Sequence, residues 1–252
     1  MARILMSAAG YETASYYALF HAQRLANILS SQGHIITFLE NPSAVEVYSE
    51  LNAEIYEYYY HTGHGCESIT TTVYGEDLFW VPGFCSVEHA HDDTFLHELP
   101  YMDFVFFMSC LCGQSLIPKI AEEGGRAASY VEEFSWVAVP PYAPGGMADI
   151  YSTWFFNPGN QYFLSKVNGA TFEQAHTETM LEFEESIQHW RYSSDSLATL
   201  CITLLIKDRN ALLVQTADTR IGGLQIPSSN IVPLLLLGGV AIGGIYLLKK
   251  VK

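Results

Sequence analysis

The sequence predicts an α/β protein with a mostly parallel central sheet. Between residues 2 and 64, apolar runs of strand length alternate with helical patterns in the order strand, helix, strand, helix, strand. Such a series is typical of a parallel sheet with helices on both faces. The 252 residues, 49% of them apolar, are enough for one sizeable domain with an appendage.

The individual elements follow from local periodicity. Residues 2–9 form an apolar run that stops at Gly10, which predicts a buried strand and its exit turn. Residues 16–29 carry apolar side chains at helical spacing. The same reasoning predicts strands at 34–39, 55–60, 104–108, 127–131 and 136–139, helices at 44–51, 94–99, 116–123, 150–167 and 172–190, and hairpins at 68–84 and 200–215.

The charge balance excludes one class of partner. Twelve Lys and Arg residues stand against twenty-seven Asp and Glu residues, so the formal net charge is −15. A chain this acidic repels the phosphate backbone, and we therefore expect no nucleic-acid partner.

The C-terminus predicts a membrane anchor. Residues 231–248 contain no charge, and at about 1.5 Å per residue they match a hydrocarbon core of about 30 Å. Several glycines in this segment would weaken a helix in water but are tolerated in a membrane, which disfavours the alternative of a buried core helix. Gly239 and Gly243 have the spacing that permits close helix pairing, a signal for a homodimer.

The expected location is the cytoplasmic face of a membrane. The N-terminus lacks the features of a signal peptide, and five cysteines leave at least one thiol outside any disulfide, as in a reducing compartment. We expect a single-pass C-terminal anchor, although lysines after the span would by themselves place the domain outside. The predicted division is a globular domain at 1–215, a linker at 216–230, a transmembrane helix at 231–248 and a basic tail at 249–252.

Two predicted strands end in residues with reactive side chains. The aromatic run 55–60 leads to His64, which lies between two glycines, and the apolar run 104–108 leads to Cys110. Because the carboxyl ends of parallel strands carry the working groups of such sheets, we expect these two side chains at one edge.

A histidine beside a cysteine suits nucleophilic catalysis. The imidazole of His64 would take the thiol proton of Cys110 and later give it to a leaving amine. The backbone N–H groups of Gly65 and Cys110 would form an oxyanion hole.

Both motifs resemble those of a known peptidase group. Residues 60–65, Tyr-His-Thr-Gly-His-Gly, look like the Tyr-Ser-Gly-His-Gly of metacaspases and the Gly-His-Gly of gingipains. Residues 109–113, Ser-Cys-Leu-Cys-Gly, are similar to the Ser-Cys-His-Ser-Gly of metacaspases and the Ala-Cys-x-Ser-Gly of legumains. Residues 168–175 resemble the start of a late helix in gingipain-like relatives. The likeness covers residues 61–113 best, the rest of 1–215 loosely, and the C-terminal span not at all.

The resemblance implies a caspase-like cysteine peptidase. Its fold would be a three-layer α/β/α sandwich, with His64 as general base and Cys110 as nucleophile of a dyad that hydrolyses protein or peptide substrates through an acyl-enzyme. It implies no cofactor and no metal, and no calcium-site cluster is evident in the sequence.

Three positions depart from that pattern or replace part of it. Cys112 stands where relatives carry serine, either as a passive substitute or as a redox partner of Cys110, although a Cys-x-Cys disulfide would be strained. Met108 replaces the aspartate that in metacaspases helps to bind a basic substrate residue. Asp149 is the candidate for a replacement charge.

Two other functions stay open. One is a caspase-like fold without turnover that acts as a membrane-tethered interaction module. The other is a zinc site, although no pair of ligands has the Cys-x-x-Cys spacing. Its candidate ligands are His61, His64, Cys66, Cys85, His89, His91, Cys110 and Cys112.

Overall fold

A computed structural model describes most of the chain as strands and helices around one sheet. The described residues are 1–10, 13–65, 69–71, 77–80, 99–138, 150–223, 240–241 and 244–245. The strands are β1 (Arg3–Ala8), β2 (Ile35–Glu40), β3 (Tyr58–Thr62), β4 (Ile69–Thr71), β5 (Asp77–Trp80), β6 (Phe104–Met108), β7 (Arg126–Tyr130), β8 (Leu212–Thr216), β9 (Arg220–Gly222), β10 (Val240–Ala241) and β11 (Gly244–Ile245). The helices are α1 (Thr13–Ser31), α2 (Ala44–Ala53), α3 (Leu116–Glu122), α4 (Thr153–Val167), α5 (Phe172–Arg191) and α6 (Ala198–Ala211).

The central sheet has seven strands in the order β2-β1-β3-β6-β7-β8-β9. The first five strands of that order pair in parallel, and β8 and β9 add to the edge in antiparallel fashion. The predicted α/β class and mostly parallel sheet are therefore confirmed. Predicted strands and helices between residues 2 and 62 all occur within a few residues of their expected bounds.

Aromatic side chains fill both faces of the central strands. Tyr60 and Phe106 contact Phe163 of α4, with ring centroids 5.2 and 6.2 Å apart. Tyr59 and Phe107, their sequence neighbours, contact each other at 6.1 Å and project from the opposite face because strand side chains alternate. All four are fully buried, an arrangement compatible with three layers.

Helix α5 begins with the local signal that the sequence contains. The Thr171 side chain accepts from the Gln174 backbone N–H, and the Gln174 side chain accepts from the Thr171 backbone N–H. This capping box satisfies two donors that a helix start leaves without partners.

The predicted hairpin at 200–215 is wrong in its first half. Residues 198–211 form the helix α6, and only β8 that follows is a strand. Short apolar runs fit a buried helix as well as a strand, and tertiary packing decides between them. Here the buried positions recur at helical spacing, at Ala198, Cys201, Leu204, Leu205, Lys207, Asp208 and Ala211.

Two other stretches differ from their predicted form. Residues 136–138 of the strand predicted at 136–139 are buried but have no regular secondary structure and pair with no strand of the described sheet. Within the segment predicted as a linker, β9 pairs with β8, so the sheet continues as far as Gly222.

The C-terminal prediction falls almost entirely outside the described residues. Of the predicted span 231–248, only β10 and β11 are described, and they pair antiparallel with each other. In the described part of the chain, no helix is long and apolar enough to cross a membrane. The anchor and its glycine-mediated homodimer stay predictions.

Candidate active site

Parallel pairing of β3 with β6 brings the two motifs side by side. In the register of this pair, Thr62 lies opposite Met108. The Thr62 hydroxyl donates to the Met108 carbonyl at 3.2 Å, which ties the two strand ends together. His64 and Cys110 each follow two residues later, so both lie just beyond the carboxyl ends of these two strands.

Gly65 lies directly against the cysteine turn. A Cβ atom on Gly65 would be 2.7 Å from the Cys110 carbonyl oxygen, 2.7 Å from the Cys112 Sγ and 2.9 Å from the Ser109 Cβ. No side chain fits at such distances, so only glycine allows the His64 turn to approach Cys110 this closely.

Both residues of the predicted dyad line one small cavity. Its volume is about 20 Å³, enough for about one water molecule. His64, Cys110 and Met108 all line it, whereas Asp149 lies outside the described residues. The other lining residues are Ser15, Ala18, Thr62, Gly63, Phe134, Trp136 and Phe156.

The backbone after Cys110 turns sharply. Leu111 has a φ of 62°, in the left-handed region that branched residues rarely adopt. The turn is tied to the chain that follows β7, because the Leu111 N–H donates to the Glu132 carbonyl at 3.3 Å and the Gly113 N–H donates to the Tyr130 carbonyl at 2.9 Å. These bonds keep Cys110 at the end of β6 facing the cavity.

Cys110 is a protonated thiol in this closed form. The side chain is 6% exposed, and burial raises its pKa to about 12. A hydrogen bond from the Phe134 backbone N–H opposes this rise, while the nearby carboxylate of Glu133 adds to it. A thiolate nucleophile at neutral pH therefore requires water or a base to reach the sulfur.

Two buried ionisable residues of α6 hold the segment that covers Cys110. Lys207 Nζ donates to the Glu133 carbonyl at 2.6 Å and to the Ser135 hydroxyl at 2.9 Å. The Ser135 N–H donates to Asp208 Oδ1 at 3.1 Å. Lys207 and Asp208 thus fix the residues on both sides of Phe134.

Asp208 is fully buried, and burial raises its pKa well above the usual carboxyl range. Its second oxygen, Oδ2, has no hydrogen-bond partner among the described residues. Sequence reasoning missed both Lys207 and Asp208, because it placed them between the two strands of the hairpin predicted at 200–215. The signal that could have identified them is the helical spacing of the apolar residues in 198–211, which places Lys207 and Asp208 on the same side of the helix as Leu204.

Cys112 is a packed thiol rather than a disulfide partner. Cys110 and Cys112 both carry thiols, and Cys112 is completely buried against Gly65. In this form Cys112 fills space beneath the histidine turn.

The zinc hypothesis finds no support in the described part of the chain. No group of three His, Cys, Asp or Glu side chains there could hold a metal ion. His61 is on the opposite face of β3 from Thr62, where its Nδ1 lies 2.9 Å from the Ser7 hydroxyl. The candidate ligands Cys66, Cys85, His89 and His91 lie outside the described residues.

Comparison with models of protein families returns no match, and none of the curated proteins compared matches the chain. Neither comparison assigns the chain to a family. Its function is therefore inferred from the two motifs and from the geometry around Cys110.

Proposed function

We propose that this chain is a caspase-like cysteine endopeptidase in which His64 and Cys110 form the catalytic dyad. The observation that carries the proposal is the pairing of β3 with β6, which brings both residues to one cavity at the carboxyl edge of a parallel sheet. The contact between Gly65 and the Cys110 carbonyl adds to it.

The reaction would proceed through two displacements. Cys110 Sγ attacks the carbonyl carbon of the scissile peptide bond while His64 takes the thiol proton. The tetrahedral intermediate collapses, the C–N bond breaks, and His64 gives its proton to the leaving amine. Water then attacks the thioester, again losing a proton to His64, and Cys110 leaves as the thiol after taking that proton back.

Charge that develops on the substrate oxygen needs donors near Cys110. The backbone N–H groups of Gly65 and Cys110 are the proposed oxyanion hole, and the loss of one such donor typically costs at least about a hundredfold in rate. Because Gly65 lacks a side chain, its backbone can approach the reacting carbonyl.

The closed cavity requires an opening step before catalysis. A volume of about 20 Å³ admits no peptide, and the buried Cys110 thiol has a pKa of about 12. Displacement of Phe134 and Trp136, which line the cavity, would admit substrate and water. Hydration of the sulfur would then bring its pKa back toward the ordinary range near 8.5, where His64 can deprotonate it.

The proposed substrate pocket favours an uncharged residue before the scissile bond. Met108, Trp136 and Phe156 line the cavity with apolar groups, and a buried cation there would lack a counter-charge. Cleavage after Arg or Lys would need a carboxylate from outside the described residues, for which Asp149 is the candidate.

Hydrolysis of a fluorogenic peptide panel tests the proposal. The panel carries Leu, Asn, Asp, Arg or Lys before the scissile bond, and the full chain is assayed in detergent because of its apolar C-terminus. We expect cleavage that falls by at least about a thousandfold in His64→Ala and in Cys110→Ala. Cys112→Ser and Cys201→Ser serve as matched controls and should keep most of the activity. Full turnover by Cys110→Ala would contradict the proposed nucleophile.

The closed geometry also favours a second candidate, a caspase-like interaction module without turnover. A buried Cys110 with a raised pKa is what a silent descendant of such an enzyme would retain. In that case iodoacetamide and every peptide fail to react, while binding to a protein partner survives His64→Ala.

The finer fold and location belong to the same proposal. A caspase-like sandwich would carry the dyad, with residues 231–248 as a single-pass anchor and the domain on the cytoplasmic side. Pairing through Gly239 and Gly243 would give a homodimer. Protease protection of the domain in sealed vesicles tests this orientation, since a cytoplasmic domain is digested without detergent.

A further inference from the structure

A second and larger cavity lies outside the proposed active site. It has a volume of about 230 Å³ and is lined by three helices, α1, α4 and α5. Helix α4 packs against both of the others. The lining residues are His21, Arg24, Leu25 and Ile28 of α1, Asn157, Asn160, Gln161 and Leu164 of α4, and Glu182 of α5.

The cavity presents opposite charges on two different helices. Among the described residues that line it, Arg24 is the only Lys or Arg and Glu182 is the only acid. Neither makes a hydrogen bond or an ion pair with any residue that the structure describes. Burial and the neighbouring Glu185 raise the pKa of Glu182, so a ligand cation beside it would be stabilising.

Asn160 adds an oriented donor to the same cavity. It is only 8% exposed, and the Tyr60 hydroxyl donates to its Oδ1 at 2.8 Å. Since the oxygen already accepts this bond, the amide N–H groups are left to donate to a ligand. A carboxylate could therefore contact both Asn160 and Arg24.

The remaining surface suits a short aliphatic group. Leu25, Ile28 and Leu164 supply apolar lining. The volume is just below the range of about 300–1,000 Å³ that is usual for pockets of drug-sized ligands, so the cavity fits a ligand of amino-acid size.

We propose that this cavity binds a free aliphatic α-amino acid. Its carboxylate contacts Arg24 and the Asn160 amide, its ammonium group contacts Glu182, and its side chain packs on Leu25, Ile28 and Leu164. Separate charges that do not pair with each other complement a zwitterion, whereas a simple anion or cation would leave one of them without a partner.

The site adjoins the proposed active site but does not depend on it. The His21 ring stacks on Phe156, which lines the Cys110 cavity, with centroids 4.4 Å apart and planes 7° apart. The His21 Nε2 lies 2.8 Å from the Ser152 hydroxyl. Ligand binding uses none of the dyad residues, so Cys110→Ala should bind as the unaltered chain does.

Calorimetric titration of the full chain in detergent with L-leucine tests the proposal. We expect saturable binding with a stoichiometry near one. Leucinol lacks the carboxylate and 4-methylpentanoate lacks the ammonium group, and each should bind at least about tenfold more weakly than leucine. Equal binding of all three compounds, or no saturable binding of leucine, would overturn the zwitterion site.

Paired variants locate the binding. Arg24→Gln should weaken leucine at least about tenfold yet leave leucinol unchanged, and Glu182→Gln should weaken leucine yet leave 4-methylpentanoate unchanged. Arg191→Gln and Glu173→Gln, two exposed changes on α5 outside the cavity, should leave every affinity unchanged. Thermal unfolding confirms that all four variants fold. Folded Arg24→Gln and Glu182→Gln variants that bind leucine normally would place the ligand elsewhere and contradict the assignment.

Discussion

Two cavities among the described residues contrast in volume and in the reactive groups that line them. The cavity beside Cys110 holds a thiol and an imidazole but only about 20 Å³, while the cavity between α1, α4 and α5 holds about 230 Å³ and no nucleophile. A glycine and aromatic side chains close the first, whereas charged and amide groups line the second. The proposed dyad would therefore need an opening step before it could act, whereas the proposed ligand site has room for a molecule of amino-acid size as it stands.

The largest effect on stability should come from Lys207, which holds the segment that covers Cys110, residues 133–136, here called the cover. Lys207→Met removes both hydrogen bonds from Nζ to Glu133 and Ser135 and leaves the hydroxyl oxygen of the buried Ser135 without its Lys207 donor. We expect a loss of about 3 kcal/mol in the free energy of unfolding, measured by urea denaturation.

The same variant should make Cys110 more accessible, because Phe134 lies between the two released residues. Lys119→Met is the control, since the pairs that its partly exposed ammonium forms with described residues are those with Glu122 and Glu123, worth at most about 1 kcal/mol. Equal losses for the two variants would show that Lys207 does not fasten the cover.

A methyl group added beside Cys110 should lower the free energy of unfolding more than truncation of a side chain that lines the larger cavity. Gly65→Ala places a Cβ 2.7 Å from the Cys110 carbonyl oxygen and the Cys112 Sγ, so we expect a loss of about 2 kcal/mol in unfolding free energy from overpacking. Asn157→Ala, at an exposed position that lines the larger cavity, should change stability by less than about 0.5 kcal/mol. A well-tolerated Gly65→Ala would mean that the two turns are not in contact.

Within any one pH unit, the smallest effect should be a pH dependence that comes from Asp208. Its pKa is raised in the folded state, so above the ordinary carboxyl value the folded chain holds a proton that the unfolded chain has lost. Stability due to this group is therefore full below that value and falls as the pH rises toward the folded pKa, by up to about 1.4 kcal/mol per pH unit.

Asp208→Asn should flatten this slope, whereas Asp218→Asn, at an exposed position, should keep it. Urea denaturation between pH 4 and pH 8 measures the slope. If Asp208→Asn retains the full slope, the buried carboxyl is not its source.

The sheet and the meeting of His64 with Cys110 were predictable, because both depend on local signals. Apolar runs of strand length stopped by glycine give the strands, and parallel pairing then places their carboxyl ends at one edge. Residues 198–211 were misread because a short apolar run does not distinguish a helix from a strand. Because of that error, the burial of Lys207 and Asp208 was not predicted.

The larger cavity was beyond prediction for a different reason. Arg24 and Glu182 are 158 positions apart in the sequence (182 − 24), and each has the appearance of an ordinary solvated helix residue. Only the packing of α4 against α1 and α5 brings them to one space. The close packing of Gly65 against Cys110 and Cys112 likewise depends on tertiary structure, although the sequence shows the glycine itself.

The most direct test of the dyad is the rate at which iodoacetamide alkylates Cys110, followed by peptide mass spectrometry in the full chain and in His64→Ala. Reaction occurs from the opened form, where a base within reach of the thiol raises its thiolate fraction at neutral pH. We predict labelling at pH 7 that is at least about tenfold slower in His64→Ala, with the two rates converging near pH 10, where hydroxide replaces the base. Equal rates at pH 7 would contradict the pairing of His64 with Cys110.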